Sequence, residues 1–140
     1  MKKHMYASLL LIAFLAFVSC TTAMKREEID PWLQNMAGDT SPEIHIEGWW
    51  KDAHTDAAFG WGRGRFEQDG SKIEGSMGQY NLRGRVSGNT VYLVFLSAGE
   101  PHYTGRLEMI EDGLLQGNYF PADDRKQEYG TPIALEKFER

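Results

Sequence analysis

The stretch that decides the fold is "KIEGSMGQYNLRGRVSGNTVYLVFL", residues 72–96. Apolar side chains recur in it at every second position, first as Ile73 and Met77 and then as Leu82 and Val86. A period of two is that of a β-strand with one buried face, because successive side chains point to opposite sides. Glycine-containing dipeptides interrupt the pattern twice, which predicts three strands joined by tight turns.

The turns provide a test, because the length of a hairpin loop fixes which residues face each other across it. Each predicted turn should place one inward apolar residue opposite another. The predicted pairs are Met77 with Tyr80 around Gly78-Gln79, Val86 with Val91 around Gly88-Asn89, Phe66 with Ile73 around Asp69-Gly70, and Met109 with Leu115 around residues 111–113. Four such agreements indicate a β-meander.

The same alternation extends along the rest of the chain and gives eight strands. The first is predicted at "EIHIEGWWK", residues 43–51. The second is predicted to include "GWGRGRF", residues 60–66, with Gly62 and Gly64 on the same inward face as Phe66. Closure of eight consecutive antiparallel strands leaves no unpaired edge. The predicted fold is an all-β, eight-stranded antiparallel up-and-down barrel with a short N-terminal helix.

The helix is predicted just before the barrel. Asp30 suits the N-cap, Pro31 suits the first helical position and Gly38 suits the end. Its apolar side consists of Trp32, Leu33 and Met36, while the outward residues of the fifth strand, also apolar, are Tyr92, Val94 and Leu96. The more economical interpretation is that the helix covers this strand. The alternative is an exposed patch for a protein partner.

Six glycines are predicted in mid-strand on the inward face: Gly48, Gly64, Gly75, Gly84, Gly105 and Gly117. Glycine inside a strand marks a bend or a close approach of two backbones, so the set predicts a narrow, strongly coiled barrel. An eight-stranded barrel is either filled by its side chains or holds one small ligand, and both alternatives stay open.

The residues expected to line the lumen are Ile46, Trp50, Phe66, Ile73, Met77, Tyr80, Leu82, Val91, Leu93, Phe95, Tyr103, Leu107, Leu115, Tyr119 and Leu135. Aromatic rings with tyrosine hydroxyls as polar groups are typical of a small-molecule pocket, and they are equally typical of a solid core. The candidate ligand contacts are Trp50, Phe66, Met77, Tyr80, Phe95, Tyr103 and Tyr119.

The first twenty residues, "MKKHMYASLLLIAFLAFVSC", have the order of a secretory leader. Lys2 and Lys3 precede an apolar run over residues 7–18, which is shorter than the roughly 20 residues of a membrane-spanning helix. Cys20, the only cysteine in the chain, follows at the expected processing site. The alternative interpretation is an ordinary signal peptide with a stray cysteine.

This leader resembles the bacterial lipoprotein signal. The resemblance implies that residues 1–19 are removed and that Cys20 is lipidated and anchors the protein to a membrane. Thr21 stands where an aspartate would signal retention at the inner membrane, which implies the outer membrane of a Gram-negative host. The predicted organisation is therefore a leader over residues 1–19, a lipidated tether with a short helix over 20–42, and a barrel over 43–140.

The charge balance argues against nucleic-acid binding. Without residues 1–19 the chain has 13 basic and 20 acidic residues, a net charge of −7. The arginines beside the inward glycines point outward: Arg63, Arg65, Arg83, Arg85 and Arg106. They form either a belt that meets anionic lipid, cell wall or an acidic partner or, in the favoured interpretation, a solvated face balanced by Glu47, Glu67, Glu74 and Glu108.

No pattern in the sequence points to catalysis. The glycines of "GWGRG" lack the strand and helix that flank a phosphate-binding loop. The stretch "DAHTD" places Asp52, His54 and Asp56 in the first loop, where a metal site is a minor alternative. His45 and His102 are expected at the surface. We therefore expect a protein that is not an enzyme and that has no cofactor and no bound metal.

Gly48-x-Trp50 on the first strand resembles the lipocalin signature, in which the tryptophan closes the base of the barrel, and Lys137 matches the cation that packs on it. The length and tight hairpins are similar to avidin-like and other small calycin-type barrels. The size and leader also look similar to lipidated barrels that inhibit lysozyme. The expected function is a lipid-anchored envelope protein that binds a small apolar or amphipathic ligand. The alternative is a non-enzymatic protein-interaction or inhibitor module acting through loops and outer wall.

Overall fold

The computed structural model describes residues 23–54 and 60–140. A 3₁₀ turn, Arg26–Glu28, leads into helix α1, Ile29–Ala37. The strands are β1 Gly48–Asp52, β2 Arg63–Asp69, β3 Lys72–Met77, β4 Tyr80–Ser87, β5 Thr90–Ser97, β6 Glu100–Glu111, β7 Leu114–Pro121 and β8 Thr131–Phe138. Each strand pairs antiparallel with the next, and β8 pairs with β1, so the sheet closes into a barrel. The predicted eight-stranded up-and-down fold is confirmed.

Alternation of strand direction gives the barrel two different ends. We call the end with the β1–β2, β3–β4, β5–β6 and β7–β8 connections the rim. The other end, with the β2–β3, β4–β5 and β6–β7 hairpins, is the base. Among the described residues, no helix is both long and apolar enough to cross a membrane.

Residues 43–47 cross the base instead of beginning the first strand, so the predicted start of that strand is wrong. The side chain of Gln68 holds the crossing segment, because its Oε1 accepts the N–H of Ile46 at 2.7 Å and its Nε2 donates to the carbonyl of Ile44 at 3.1 Å. Gly48 then turns the chain into β1 with φ +136°, a conformation that residues with a side chain rarely adopt.

Three of the four predicted hairpin pairs are confirmed: Met77 with Tyr80, Val86 with Val91, and Met109 with Leu115. The last pair forms around a tighter turn than predicted, because Glu111 already pairs with Leu114 and the ladder is irregular between Met109 and Glu111. Ile110, in this irregularity, is 55% exposed.

The predicted pairing of Phe66 with Ile73 is wrong. Phe66 lies opposite Gly75, and Ile73 lies opposite Gln68, because the turn is made by residues 70–71. The displacement is an even number of residues along β3, so Phe66 and Ile73 both keep their inward direction and are fully buried. The position opposite Phe66 has no room for a larger residue, since a Cβ at Gly75 would overlap the carbonyl oxygen of Arg65.

The mid-strand glycines mark places where neighbouring strands approach closely. A Cβ at Gly64 would overlap the carbonyl oxygen of Ser76, and one at Gly117 would overlap that of Arg106. Gly105 has another role, because a Cβ there would lie 3.2 Å from a ring carbon of Phe95. The predicted narrow barrel is therefore supported by the backbone packing.

Helix α1 begins at Ile29, so Asp30 is not its N-cap and Pro31 lies inside the first turn rather than at its start. Glu28 occupies the N-cap position and makes no capping hydrogen bond with its side chain. The predicted end is confirmed, because the N–H of Gly38 donates to the carbonyl of Gln34 at 2.9 Å.

The helix covers the outer face of β5, which decides between the two interpretations of that strand. Val94 is fully buried and Leu96 is 5% exposed in a cluster that also contains Met24, Ile29, Trp32, Leu33 and Ala122. Tyr92 packs at its edge. The indole N–H of Trp32 donates to the carbonyl of Arg125 at 3.0 Å and fixes the helix to the β7–β8 connection.

Candidate functional site

The rim carries a tryptophan, Trp61, that lies outside the regular strands. Trp61 precedes β2, which begins at Arg63 and not at the predicted "GWGRGRF" stretch. Gly60 and Gly62 have φ +82° and +75°, so the backbone there is not extended and the alternation of a strand does not apply. The prediction that Gly62 shares the inward face of β2 is therefore wrong. The indole of Trp61 packs against the barrel core at the rim.

Trp61 contacts four aromatic rings that come from four different strands. Its ring centroid lies 4.5 Å from that of Phe95, 4.9 Å from Tyr119, 5.6 Å from Tyr80 and 5.7 Å from Tyr103. The tyrosine rings stand nearly perpendicular to one another, at 83° between Tyr80 and Tyr103 and 89° between Tyr103 and Tyr119. We call these five residues the aromatic cup.

The cup has a buried floor and a partly exposed wall. Phe95 is fully buried, whereas Tyr80, Tyr103, Tyr119 and Trp61 are each half-buried. Edge-to-face rings at these distances attract one another, so the wall keeps its shape. Four of its members are therefore held by ring contacts and are partly exposed.

Asp52 at the end of β1 holds the backbone of Trp61. Asp52 is 8% exposed, and its carboxylate accepts the N–H of Trp61 at 3.0 Å and that of His54 at 2.9 Å. The N–H of Asp52 donates in turn to the carbonyl of Gly62 at 2.9 Å. Hydrogen bonds to a buried carboxylate are among the stronger ones in proteins, so Asp52 fixes where Trp61 stands.

These bonds give Asp52 a structural role in place of the metal-ligand role considered for "DAHTD". His54 is exposed, and Asp56 lies outside the described residues. In the ranges 23–54 and 60–140, no group of three His, Cys, Asp or Glu side chains could hold a metal ion. His45 and His102 are both exposed, as predicted.

The structure divides the seven predicted ligand contacts into two groups. Tyr80, Phe95, Tyr103 and Tyr119 meet in the cup, while Trp50, Phe66 and Met77 are fully buried in the core. Trp50 stacks on Phe66 at 5.9 Å, and its indole N–H donates to the carbonyl of Ile46 at 2.7 Å. The part of the lumen around Trp50 and Phe66 is therefore packed, with the polar atom of Trp50 satisfied.

The lipocalin-like contact at the base is present. Lys137 pairs with Trp50 across the β1–β8 ladder, and its Nζ lies 5.9 Å from the Trp50 ring. The lysine stem passes over Gly48, where a Cβ would lie 2.7 Å from the lysine Cε. Trp50 thus closes the base from inside and Lys137 covers it, as the resemblance implied.

The five outward arginines share the outer face with the glutamates that the sequence suggested, and Arg83 lies directly opposite Glu74 across the β3–β4 ladder. None of the four ion pairs found among the described residues joins one of those five arginines to Glu47, Glu67, Glu74 or Glu108. Three of the five lie over aromatic rings instead, Arg63 over Phe138 at 5.4 Å, Arg65 over Trp49 at 5.7 Å and Arg106 over Phe120 at 5.9 Å. The outer wall therefore carries arginines that pack on rings and keep their hydrogen-bond donors available.

The cup offers a ligand flat apolar surfaces and phenol hydroxyls. Rings of this kind bind planar or chain-like apolar groups by stacking and dispersion, and the hydroxyls can donate to or accept from one polar group. Comparisons of the chain with protein-family models, curated proteins and solved structures find no match.

Proposed function

We propose that this protein is a lipid-anchored, non-enzymatic binding protein of the bacterial cell envelope, which binds a small apolar or amphipathic ligand in the aromatic cup. The observation that carries the proposal is the position of Trp61, held by Asp52 among three half-buried tyrosines and the buried Phe95. Trp61 fills the space among these rings, so a ligand would bind by displacing its indole or by stacking on the exposed parts of the rings.

The rim supports binding better than the base half of the lumen does. A ligand beside Trp50 and Phe66 would have to displace fully buried side chains, each of which loses about 1.5–3 kcal/mol when it returns to water. A ligand in the cup only has to replace or join Trp61, whose ring is already partly exposed. The proposal therefore places the site at the rim.

The anchor belongs to the same proposal. Cys20 would carry the acyl chains, and the outer membrane of a Gram-negative host would be the location, as Thr21 implies. The acidic net charge of −7 for the chain without residues 1–19 fits a soluble domain held near a membrane by lipid rather than by basic side chains.

A fluorescence titration tests the binding site. The probe is a polyene fatty acid whose absorption overlaps tryptophan emission, added to the Cys20→Ser protein so that no anchor is needed. We expect saturable quenching that Tyr103→Ala weakens about tenfold, because the loss of one ring contact costs roughly 0.5–1.5 kcal/mol in addition to the buried area. Trp49→Ala is the matched control, since Trp49 lies on the outer wall under Arg65.

Equal quenching in Tyr103→Ala and in the parent protein would contradict the assignment of the site. Quenching that does not saturate would mean that the probe associates with the surface, and it would count against a defined site in the same way.

A further inference from the structure

We infer that the rim is the surface that faces the membrane, and that the ligand of the aromatic cup is a bilayer-soluble molecule that enters from the lipid. The inference rests on the proposed function, since it takes Cys20 as the anchor and the cup as the binding site. What it adds is a direction of approach and a class of ligand.

The start of the described chain lies beside the rim. Ala23 lines a depression together with Pro101 and His102 at the rim end of β6 and with Pro121, Ala122 and Asp123 at and just after the rim end of β7. The ring of His102 lies 6.4 Å from that of Tyr80 and 6.5 Å from that of Tyr103. A single side chain therefore separates the first described residue from the wall of the cup.

The tether is too short to carry the barrel far from its anchor. Met24 is 2% exposed and is packed between α1 and β5, so the chain is fixed to the barrel from that residue onward. Four residue-to-residue steps separate Met24 from Cys20, and even a fully extended chain covers only about 14 Å in that number of steps. The base, at the far end of the 12-residue strand β6, lies roughly 25–29 Å away along the barrel axis, because a strand of about 35 Å is tilted by about 35–45° in a barrel.

The chemistry of the rim fits the interfacial region of a bilayer. Tryptophan and tyrosine are the residues that favour this region, because an apolar ring and a polar tip suit its two sides. The rim presents Trp61 with Tyr80, Tyr103 and Tyr119, and it also presents Tyr129, which is 78% exposed. Asp124 fixes the chain beside Tyr129 by accepting its N–H at 2.8 Å.

Both ends of the barrel carry exposed carboxylates, Asp69, Glu111 and Asp112 at the base and Glu100, Asp123 and Glu128 at the rim. The direction of approach therefore rests on the short tether and on the aromatic side chains of the rim, and not on a difference in charge.

Energy transfer from the protein to the membrane tests the orientation. The full-length lipidated protein is reconstituted into vesicles of phosphatidylethanolamine and phosphatidylglycerol that contain an acceptor-labelled lipid. A donor dye is attached either to Gln79→Cys in the rim turn or to Asp112→Cys in the base turn. We expect transfer about twofold or more higher from residue 79, because the two ends of the barrel are tens of ångströms apart.

Equal transfer from the two positions, or higher transfer from residue 112, would overturn the orientation. The mass of the reconstituted protein is measured first: if it shows acyl groups on Cys20, such a result counts against the inference alone. If the mass shows no acyl group, the anchor of the proposed function is wrong and the inference fails with it.

The source of the ligand has its own readout. The polyene fatty acid is supplied in the vesicle bilayer, and quenching of tryptophan is compared between the lipidated protein and Cys20→Ser with the same vesicles. Delivery from the membrane predicts that loading is at least about tenfold faster with the anchor, because tethering raises the local concentration. Equal rates would show that the ligand arrives through water, and they would overturn this part of the inference.

Discussion

The carboxylate of Asp52 accepts the backbone N–H of Trp61 at 3.0 Å, and this one contact connects the end of β1 to the centre of the aromatic cup. Asp52 is buried and also accepts the N–H of His54, so its carboxylate joins the backbone after β1 to the backbone before β2. The position of the Trp61 indole among four rings follows from these hydrogen bonds and from the positive φ angles of Gly60 and Gly62.

Replacement of Asp52 by Ala is expected to release the cup. Two backbone N–H groups lose a charged acceptor, and the free energy of unfolding should fall by about 1.5–3 kcal/mol in urea titrations. The emission of Trp61 should shift to longer wavelength as its ring leaves the tyrosines. His54→Ala, which keeps the carboxylate and its backbone partners, is the control and should change neither quantity appreciably.

Gly75→Ala is expected to destabilise the barrel, although Gly75 is not a residue of the aromatic cup. The added Cβ would overlap the carbonyl oxygen of Arg65, and the strands cannot separate without a loss of ladder hydrogen bonds. The free energy of unfolding should fall by roughly 1–3 kcal/mol or more, measured by thermal and urea denaturation. Ser76→Ala, one residue away on the outer face, should stay close to the parent protein; a tolerated Gly75→Ala would contradict the close approach of β2 and β3.

Trp32→Ala is expected to uncover the outer face of β5. Loss of a buried tryptophan costs about 3–5 kcal/mol, and Val94 and Leu96 would then be exposed to water. Increased binding of a hydrophobic dye at temperatures below the unfolding transition is the measurement. Asn35→Ala, at an exposed position of the same helix, should leave the dye signal unchanged. An unchanged signal in Trp32→Ala would mean that α1 does not protect this strand.

Lys137→Met is expected to lower the free energy of unfolding only slightly. The methionine keeps an apolar stem over Gly48 and removes the charge over Trp50, so the expected loss is about 0.5–1 kcal/mol, measured by urea denaturation. Lys51→Met serves as the control on the neighbouring strand, where the lysine forms an exposed ion pair with Glu136. A loss no larger than that of the control would show that the cation contributes nothing specific at Trp50.

The fold was predictable because strand alternation is local and because hairpin length fixes register. Met77 with Tyr80 and Val86 with Val91 follow from turn residues that lie next to them in the chain. The Phe66–Ile73 pairing failed because a displacement of two residues keeps both side chains inward, so alternation cannot distinguish the two registers. That Phe66 lies opposite Gly75 depends on the contact between the two strands, and the alternation along either strand does not specify it.

The candidate site was predictable only in part. Tyr80, Phe95, Tyr103 and Tyr119 were placed inward correctly, since each lies within a regular strand. Trp61 was missed because the rule of alternation was carried past the start of β2. Its signal in the sequence is a tryptophan between two glycines just before a strand, a position where the backbone is free to leave the sheet.

Native mass spectrometry of the lipidated protein, extracted from the membranes of its host, tests the central claim most directly. A ligand in the aromatic cup predicts one additional small-molecule mass per chain, present in the parent protein and in Trp49→Ala and lost in Tyr103→Ala. A chain that carries only its acyl groups in repeated preparations, or a ligand mass retained equally by Tyr103→Ala, would contradict the claim.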